Sequence, residues 1–377
     1  MGTDLVRLFL SGDVMLGRGI DQILPHPGDP ALAERYVGDA RTYVSLAESV
    51  NGPVPRPVSP GYPWGEALDA LDHAAPDARI VNLETAVTGG GAPVPGKAVH
   101  YRMHPANLPA LAAVRPDVCV LANNHVLDYG HGGLHDTLDS LSALGLRTAG
   151  AGRDADEARR PAVVPLPRGG RVLVLALGLA SSGVPRDWAA TARRGGVDFA
   201  ALADDRTAAR VAARVRGEKG PGDIAVVSLH WGSNWGYALP ATHIAFAHAL
   251  IDGGADIVHG HSSHHPRPLE VYRGKLVLHG CGDLINDYEG ISGYEEYRDD
   301  LRLLPVASVT RDDGRLREVR LIPMRARRLR LEHASGPDAR LLHDVLARIS
   351  RPHGTRITLT RDGTLTARPA RDTAGHP

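Results

Sequence analysis

The sequence has little of what marks several large classes of protein. Its 377 residues include two cysteines, Cys119 and Cys281, and both lie in or at the end of apolar runs. This predicts reduced, buried thiols rather than a disulfide framework. No apolar run approaches the roughly 18 residues that a membrane-spanning helix needs, so no membrane span is predicted. The N-terminus lacks a long apolar stretch after a basic start, which predicts no signal peptide and a cytoplasmic protein.

The sequence also lacks an excess of charge of either sign. Lysine plus arginine and aspartate plus glutamate each number 43, so the formal net charge is zero at pH 7. We therefore expect neither nucleic acid nor an anionic membrane as a partner. The same balance favours a small-molecule or peptide-like substrate over a charged polymer. Histidine, in contrast, is abundant at 19 residues, and several of these cluster.

What is present is an alternation of strand-like and helix-like segments. Apolar runs of strand length occur at 6–11, 78–81, 118–121, 171–177, 224–229, 257–258 and 275–278. Helix-like patterns lie at 64–73, 105–114, 131–144, 206–216 and 241–252. This alternation predicts a layered α/β fold. Hairpins are predicted at 306–322 and 355–367, and the first suggests a second sheet or an antiparallel edge packed against the main one.

The segment 20–62 interrupts this alternation. It is rich in proline and glycine, and one short helix is predicted within it, at 31–49. Because it follows the first strand end, it would rise beside any site built there. Two interpretations remain open: a lid or substrate wall, and a solvent-exposed decoration.

Polar side chains follow the strand-like runs, and strand ends of one α/β sheet face the same crevice. The candidate metal ligands at these positions are Asp13, Glu84, Asn124, His230, His261, His259 and His264. Oxygen ligands mixed with imidazoles suit Mn, Fe or Zn better than Ca or Mg. Glu84 could bridge two ions roughly 3.5–4 Å apart, as in two-metal hydrolytic sites. The pattern therefore predicts a divalent metal site at these strand ends.

Each of these ligands has a structural alternative when it is considered alone. Asp13 and Asn124 could cap helices, and Glu84 could be a surface carboxylate. His230 could be a buried, hydrogen-bonded histidine. The joint pattern favours the metal site over all of these alternatives together.

Other residues suit catalysis and substrate binding. The candidate catalytic residues are His125, which could protonate a leaving group or stabilise an oxyanion, and Asp128, which could fix the orientation of its ring. Arg18 and Arg102 could hold a substrate carboxylate or phosphate, with surface arginines as the alternative. The segment 12–18 lacks the Gly-Lys-Ser/Thr ending of a phosphate loop, so no nucleotide site is predicted.

Five short motifs occur in an order that is typical of one family. They are Gly12-Asp13-Val14-Met15-Leu16, Asn82-Leu83-Glu84, Ala122-Asn123-Asn124-His125, His230-Trp231-Gly232 and Gly260-His261. On these motifs, the chain resembles the CapA family of bacterial capsule (poly-γ-glutamate) synthesis proteins over roughly residues 5–310. The domain of that family looks like the calcineurin-like metallophosphoesterases.

The resemblance implies a fold and a domain organisation. The fold would be α/β, a four-layer α/β/β/α sandwich of the metallophosphoesterase type. We expect one CapA-like domain over 1–330, which contains the insertion 20–62. A C-terminal helix and β-hairpin at 331–369 and a disordered tail at 370–377 would follow.

The resemblance also implies roles for the ligands. Asp13 would bind one metal and Glu84 would bridge, and the ligands of the other metal would be Asn124, His230 and His261. Met15 stands where the superfamily has a histidine, and His259 or His264 would supply the last histidine of the closing motif.

Two functions follow as expectations. The first is a CapA-like hydrolase in which metal-activated water attacks an amide (γ-glutamyl-like) or phosphoester bond. The alternative is a non-catalytic accessory protein of poly-γ-glutamate, capsule or related peptide biosynthesis.

Overall fold

Two large β-sheets form the centre of the molecule in the computed structural model, which describes residues 4–369. In spatial order, the first sheet contains Thr355–Leu359, Leu365–Pro369, Leu316–Arg327, Leu301–Thr310, Leu5–Val14, Ala78–Leu83, Val118–Val120 and Arg147–Ala149, with Arg330–His333 beside Leu316–Arg327 and Asp283–Ile285 beside Leu5–Val14. The second contains Phe199–Ala200, Arg171–Leu179, Ile224–His230, Ile257–His261, Lys275–Leu278 and Leu269–Tyr272, with Ala162–Pro165 beside Arg171–Leu179. Two small ribbons pair Ala151–Gly152 with Gly196–Val197 and Ala86–Val87 with Arg102–Met103.

Helices cover the outer faces of both sheets. The α-helices are Gly19–Ile23, Arg41–Asn51, Ala67–Ala74, Pro109–Ala112, Gly130–Ala143, Ala155–Arg159, Asp205–Glu218, Ala241–Asp252 and Gly336–Ser350. Short 3₁₀-helices lie at Pro105–Asn107, Ala180–Ser182, Arg186–Trp188, Glu295–Tyr297 and Arg351–His353.

Side-chain alternation along the strands separates three apolar cores. Even-numbered residues such as Leu8 and Val174 meet in the core between the two sheets. Phe9 points to the opposite face of the first sheet, where it shares a core with Leu134 of a covering helix. Leu175 likewise points outward from the second sheet, into a core with helix residues such as Phe246. Three cores between four layers confirm the predicted α/β/β/α sandwich.

The central strands of each sheet run parallel. In the first sheet, Leu5–Val14 pairs in parallel with Ala78–Leu83, which pairs in parallel with Val118–Val120. In the second, Ile224–His230 pairs in parallel with Ile257–His261. The carboxyl ends of these strands therefore lie together at one edge of the sandwich, where ligand sites of α/β folds form.

One predicted helix is wrong in its bounds. The predicted helix 31–49 begins only at Arg41, because Ala31 and Asp39 instead form an isolated antiparallel bridge, and Asp39 accepts a hydrogen bond from the Arg41 backbone N–H. Of the two arrangements predicted for the hairpin 306–322, the structure shows the antiparallel one and not a second sheet. Its first strand, Leu301–Thr310, pairs antiparallel with Leu5–Val14 inside the first sheet.

The C-terminal segment contains the predicted helix and hairpin. Gly336–Ser350 begins after Ser335, whose side chain caps it, and Leu365–Pro369 of the hairpin pairs with Leu316–Arg327. The predicted disordered tail, 370–377, lies outside the described residues. Between residues 4 and 369, none of the helices has the length and apolar character needed to cross a membrane.

Candidate metal centre

Strand ends from both sheets meet at one buried place. Asp13 comes from the first sheet, and His230 and His261 are the last residues of two strands of the second. The Nδ1 atom of His261 lies 3.7 Å from Asp13 Oδ1 and 2.9 Å from His230 Nδ1. All three side chains are buried, and their ligand atoms lie within 4.8 Å of one another. One cation could contact all three.

Glu84 and Asn124 lie at the other nitrogen of His230. Its Nε2 atom is 3.1 Å from Asn124 Oδ1 and 3.7 Å from Glu84 Oε1. The structure therefore brings together the five residues that the strand ends and the family resemblance both indicated. Each ring nitrogen of His230 faces a different part of this set.

A second group of possible ligands shares Asp13. It consists of Asp13, His264 and Asp283, all buried, with ligand atoms again within 4.8 Å of one another. His264 Nδ1 lies 2.9 Å from Asp283 Oδ1, and Asn286 donates its side-chain N–H to Asp283 Oδ2 at 2.6 Å. Because Asp13 belongs to both groups, it is placed to contact two cations at once.

The buried carboxyl groups carry an electrostatic conflict. Asn82 donates its side-chain amide to Asp13 Oδ1 at 2.7 Å and to Glu84 Oε2 at 3.1 Å. Burial, and next the Asp283 carboxylate, raise the pKa of Asp13 to about 7. Burial and Asp13 raise the pKa of Glu84 well above its ordinary value. A divalent ion held by these carboxylates would favour their charged forms and so oppose both pKa shifts.

Hydrogen bonds determine which nitrogen of His261 is free to bind a metal. His259 donates from Nε2 to the carbonyl oxygen of Ser11 at 2.7 Å, because a carbonyl can only accept. Its Nδ1 therefore accepts from the Ser228 hydroxyl, at 3.1 Å. The Ser228 oxygen in turn accepts from His261 Nε2, at 2.9 Å. Burial lowers the pKa of both imidazoles, so each carries one proton, and His261 presents a bare Nδ1.

The neighbouring His230 supplies a test of whether a metal fits. If its single proton is on Nε2, its bare Nδ1 faces the bare Nδ1 of His261 at 2.9 Å. If the proton is on Nδ1, its bare Nε2 faces the amide oxygen of Asn124 at 3.1 Å. With the Asn124 amide oriented as in the structure, either arrangement opposes two lone pairs in a buried site. A cation removes the conflict, so the donor set fits a divalent metal.

The two remaining histidine candidates differ in placement. His259 uses both ring nitrogens in the chain from Ser11 to His261, and it belongs to neither group. His264 belongs to the second group. Burial opposes charge on His264, but the Asp283 carboxylate outweighs it and raises the pKa of His264.

The candidate catalytic pair lies beside Asn124. His125 Nδ1 is 2.7 Å from Asp128 Oδ2, and His125 Nε2 is 3.9 Å from Glu84 Oε1. Asp128 is fully buried and also accepts the Tyr101 backbone N–H at 2.7 Å. Burial, and next the ammonium of Lys97, lower the pKa of His125 to about 4. The ring is therefore neutral near pH 7.

The two arginine candidates lie away from the ligands. Arg18 is buried, and its guanidinium donates to Asp287 Oδ2 at 3.1 Å and to Glu34 Oε1 at 3.0 Å. Arg102 donates to the backbone carbonyl of Asp29 at 3.1 Å. The charge of Arg18 is thus matched by protein carboxylates rather than presented to a ligand.

A cavity of about 280 Å³ opens above the metal ligands. Its lining includes Glu84, Asn124, His125 and His264, with the backbone segment 97–99 on one side. The fully described segment 20–62 contributes none of the lining residues. The segment 20–62, which the sequence suggested as a lid or substrate wall, therefore forms no wall of this cavity.

Two residues of this region were not among the sequence candidates. Asp283 is the first residue of the strand Asp283–Ile285, whose parallel pairing with Leu5–Val14 places it opposite Asp13, so it does not lie at the end of a strand as the other ligands do. Lys97 lies in a glycine- and proline-rich connection without strand or helix signals. Only the tertiary fold brings it to His125.

Comparison with known proteins identifies the family of the chain. The model of the bacterial capsule synthesis protein family, PGA_cap, matches residues 7–288. The chain belongs to this family. The match spans every ligand described above, from Asp13 to Asp283.

Individual relatives are similar over different lengths. A probable polyglutamine synthesis accessory protein of Mycobacterium tuberculosis is 52% identical over 368 residues, which cover 97% of each chain. The PGA biosynthesis protein CapA of Bacillus subtilis is 30% identical over 192 residues, 51% of this chain and 48% of that protein. A solved structure, the 5'-nucleotidase precursor from Thermus thermophilus, is similar over 92% of this chain and 59% of that chain, with 14% identity and a TM-score of 0.43.

Proposed function

We propose that this PGA_cap family member is a metal-dependent hydrolase that acts on an amide (γ-glutamyl-like) or phosphoester bond. The observation that carries the proposal is the pair of buried ligand groups that share Asp13, next to a cavity that His264, Glu84 and Asn124 line. Two divalent ions, Mn, Fe or Zn, would polarise the scissile bond and lower the pKa of an attacking water. Asp13, His230 and His261 would hold one ion and Asp13, His264 and Asp283 the other, with Glu84 and Asn124 as further ligands on the Nε2 side of His230.

The protein's own groups supply the rest of the chemistry. His125 lines the cavity next to Asn124, and its neutral ring can donate a hydrogen bond to an oxyanion or a proton to a leaving group. His259 and Ser228 hold the His261 ring so that Nδ1 points at the ligands. The cavity volume of about 280 Å³ suits a small-molecule or peptide-like substrate.

A second function is favoured by one specific observation. The M. tuberculosis relative, 52% identical over 97% of this chain, is described as a probable accessory protein of polyglutamine synthesis. A non-catalytic role in the synthesis of poly-γ-glutamate or a related peptide is the alternative. Such a protein could keep the fold and a metal without turning over a substrate.

Hydrolysis assays separate the two functions. The full chain is stripped with a chelator, reloaded with Mn, Fe or Zn, and tested on chromogenic γ-glutamyl amides and phosphate esters. A hydrolase loses several orders of magnitude in rate when Asn124→Ala removes a ligand, and about 10²-fold or more when His125→Ala removes the proton donor.

The matched control for these variants is His248→Ala, which removes a histidine that pairs with Glu270 outside the ligand set. It should leave the rate unchanged. Absence of metal-dependent turnover on every substrate class, in protein that has bound metal, would reject the hydrolase and leave the accessory protein.

A further inference from the structure

A second cavity, of about 240 Å³, adjoins the one above the metal ligands. Tyr288 lines both cavities, so the two share a wall. Val50, Ile291 and Ala326 give the second cavity apolar surface, and its charged lining residues are three arginines and four acidic residues. The proposed hydrolysis uses none of these charged groups.

Most of these charged side chains have partners within the protein. Arg298 donates to both carboxylate oxygens of Asp300, at 2.7 and 3.0 Å. Arg325 Nε lies 3.0 Å from one of the same oxygens. Glu289 and Glu295 accept hydrogen bonds from backbone N–H groups. One arginine and one aspartate remain.

The remaining arginine is Arg302, which is 2% exposed and forms no ion pair with a carboxylate of residues 4–369. A guanidinium has five N–H donors. Nη1 of Arg302 donates to the Leu301 carbonyl at 3.3 Å and Nη2 to the Asn286 side-chain oxygen at 3.0 Å, while Nε has no partner among the described residues. A buried charge without a counter-ion is costly. The placement of Arg302 therefore indicates an anionic partner that is not part of the chain.

The remaining aspartate is Asp299, which is half-buried and whose carboxylate accepts no hydrogen bond from another residue between 4 and 369. Burial raises the pKa of Asp299, and the positive charge of Arg302 opposes that rise. The two groups thus interact electrostatically without forming an ion pair. The cavity therefore holds one unmatched cation and one unmatched carboxylate.

An α-amino acid has the complementary charges, a carboxylate and an ammonium on the same carbon atom. Its carboxylate can accept charge-assisted hydrogen bonds from a guanidinium, and its ammonium can donate them to a carboxylate. We propose that this cavity binds the free α-amino acid group of a small ligand, with the ligand carboxylate on Arg302 and the ligand ammonium on Asp299. Val50, Ile291 and Ala326 offer contact to an apolar side chain of that ligand. This binding needs neither a metal nor turnover, so it is independent of the hydrolase proposed above.

Calorimetric titration of the full chain tests the proposal. The protein is first treated with a chelator, because an amino acid can also bind through a metal ion. The probe is L-leucine, and the comparison ligands are N-acetyl-L-leucine, which lacks the ammonium, and L-leucinamide, which lacks the carboxylate. We expect L-leucine to bind at a single site, and each comparison ligand to bind about 10-fold more weakly or less, because each loses one charge-assisted hydrogen-bonding group.

Two variants locate the binding site. Arg302→Met should abolish the binding of L-leucine. Asp299→Asn keeps the size of a half-buried side chain, so it should fold, and it should weaken the binding of L-leucine about 10-fold. Because Arg302 also holds Asn286, Asp299→Asn decides the question if Arg302→Met does not fold. The matched control is Asp252→Asn, which removes a carboxylate that pairs with Arg273 outside this cavity and should leave the affinity unchanged.

The outcomes decide the proposal separately from the hydrolase. Absence of saturable L-leucine binding by the unaltered chain overturns it, and this is the result expected if Asp299 and Arg302 simply pair with each other in solution. Equal affinity for L-leucine and both comparison ligands also overturns it, as does an affinity that Asp299→Asn leaves unchanged. Failure to find a hydrolysed substrate leaves the binding result intact and counts against the hydrolase alone.

Discussion

At the scale of single residues, buried polar side chains hold the candidate metal ligands in place. The hydrogen-bond series from the Ser11 carbonyl through His259 and Ser228 ends on His261 Nε2 and leaves Nδ1 free. Groups that bond the far nitrogen of a metal-binding histidine fix its ring and raise its basicity. We therefore expect His259 to support His261 rather than to bind a metal itself, although the sequence predicted it as a ligand.

Ser228→Ala tests this role. Removal of the hydroxyl breaks the chain between His259 and His261 without removing a ligand. We expect zinc affinity, measured by calorimetric titration, to fall about 10–100-fold. The control is Ser350→Ala, which removes another buried hydroxyl. That hydroxyl accepts a hydrogen bond from the Leu269 backbone N–H, and its loss should leave zinc affinity unchanged. Equal zinc affinity in Ser228→Ala and in the unaltered protein would show that this series of hydrogen bonds does not orient His261.

The two cysteines give a second residue-scale prediction. Both thiols are buried and free, and burial raises the pKa of Cys119 to about 12. Because the thiolate is the reactive form, neither cysteine should react with a thiol reagent at pH 8 in the folded protein. Both should react after denaturation. Fast modification of one thiol in the native state would contradict the described packing.

At the scale of elements, the insertion 20–62 is attached to the core by a buried cation. Arg18 joins Asp287 to Glu34, and Tyr43 of the helix Arg41–Asn51 covers its guanidinium at 3.8 Å. No residue of the insertion lines the cavity in the described structure. The insertion is therefore better described as a packed support than as a lid.

Arg18→Met should reveal this attachment as a loss of stability. Two buried carboxylates lose their cation, and breaking a buried pair in this way costs about 3–5 kcal/mol. Urea unfolding measures the change. The matched control is Arg41→Met, which breaks an exposed ion pair with Asp39. It should lower the free energy of unfolding much less. Equal effects of the two variants would contradict the attachment.

The sequence predicted those site residues that carry a local signal, a position directly after an apolar run. Asp13, Glu84, Asn124, His230 and His261 each follow an apolar run, so the strand-end rule found them. Lys97 has no such signal, because it lies in a loop that crosses to another part of the chain. Its place at His125 is a product of tertiary structure alone.

For the fold as well, local patterns predicted the elements but not their tertiary partners. Strands buried on both faces have continuous apolar runs, and these predicted the layered α/β arrangement. The helix 31–49 was predicted too long, because a bridge between Ala31 and Asp39 outweighs the helical pattern of the first half. The position of the hairpin strand Leu301–Thr310 depends on pairing with a strand almost 300 residues earlier, and no local pattern specifies such a partner.

At the scale of the whole molecule, the candidate metal centre lies where the two sheets meet. Asp13 belongs to the first sheet and His230 and His261 to the second, and the bond from His259 to Ser11 also crosses between them. A cation bound here would contact both halves of the sandwich. Its binding free energy would then contribute to the stability of the entire fold.

Thermal unfolding measures this contribution. Saturation with Zn or Mn at about 100 times Kd should stabilise the protein by about 2.7 kcal/mol and raise Tm. A chelator should reverse the shift. His261→Ala should show a smaller shift, because the group of Asp13, His264 and Asp283 remains, while His248→Ala should behave as the unaltered chain. A Tm that is indifferent to metal would contradict binding at the junction of the sheets.

Metal content shows whether Asp13 is shared by two cation sites. The chain is purified without a histidine tag, reloaded with metal and measured by elemental analysis beside Asp13→Ala, with exposed Asp72→Ala as the control. We expect about two equivalents of Mn, Fe or Zn in the unaltered chain and in the control. Both should be lost in Asp13→Ala, since Asp13 belongs to both groups. An unaltered chain that holds no metal after reloading, or an Asp13→Ala variant that keeps two equivalents, would contradict the two-metal centre.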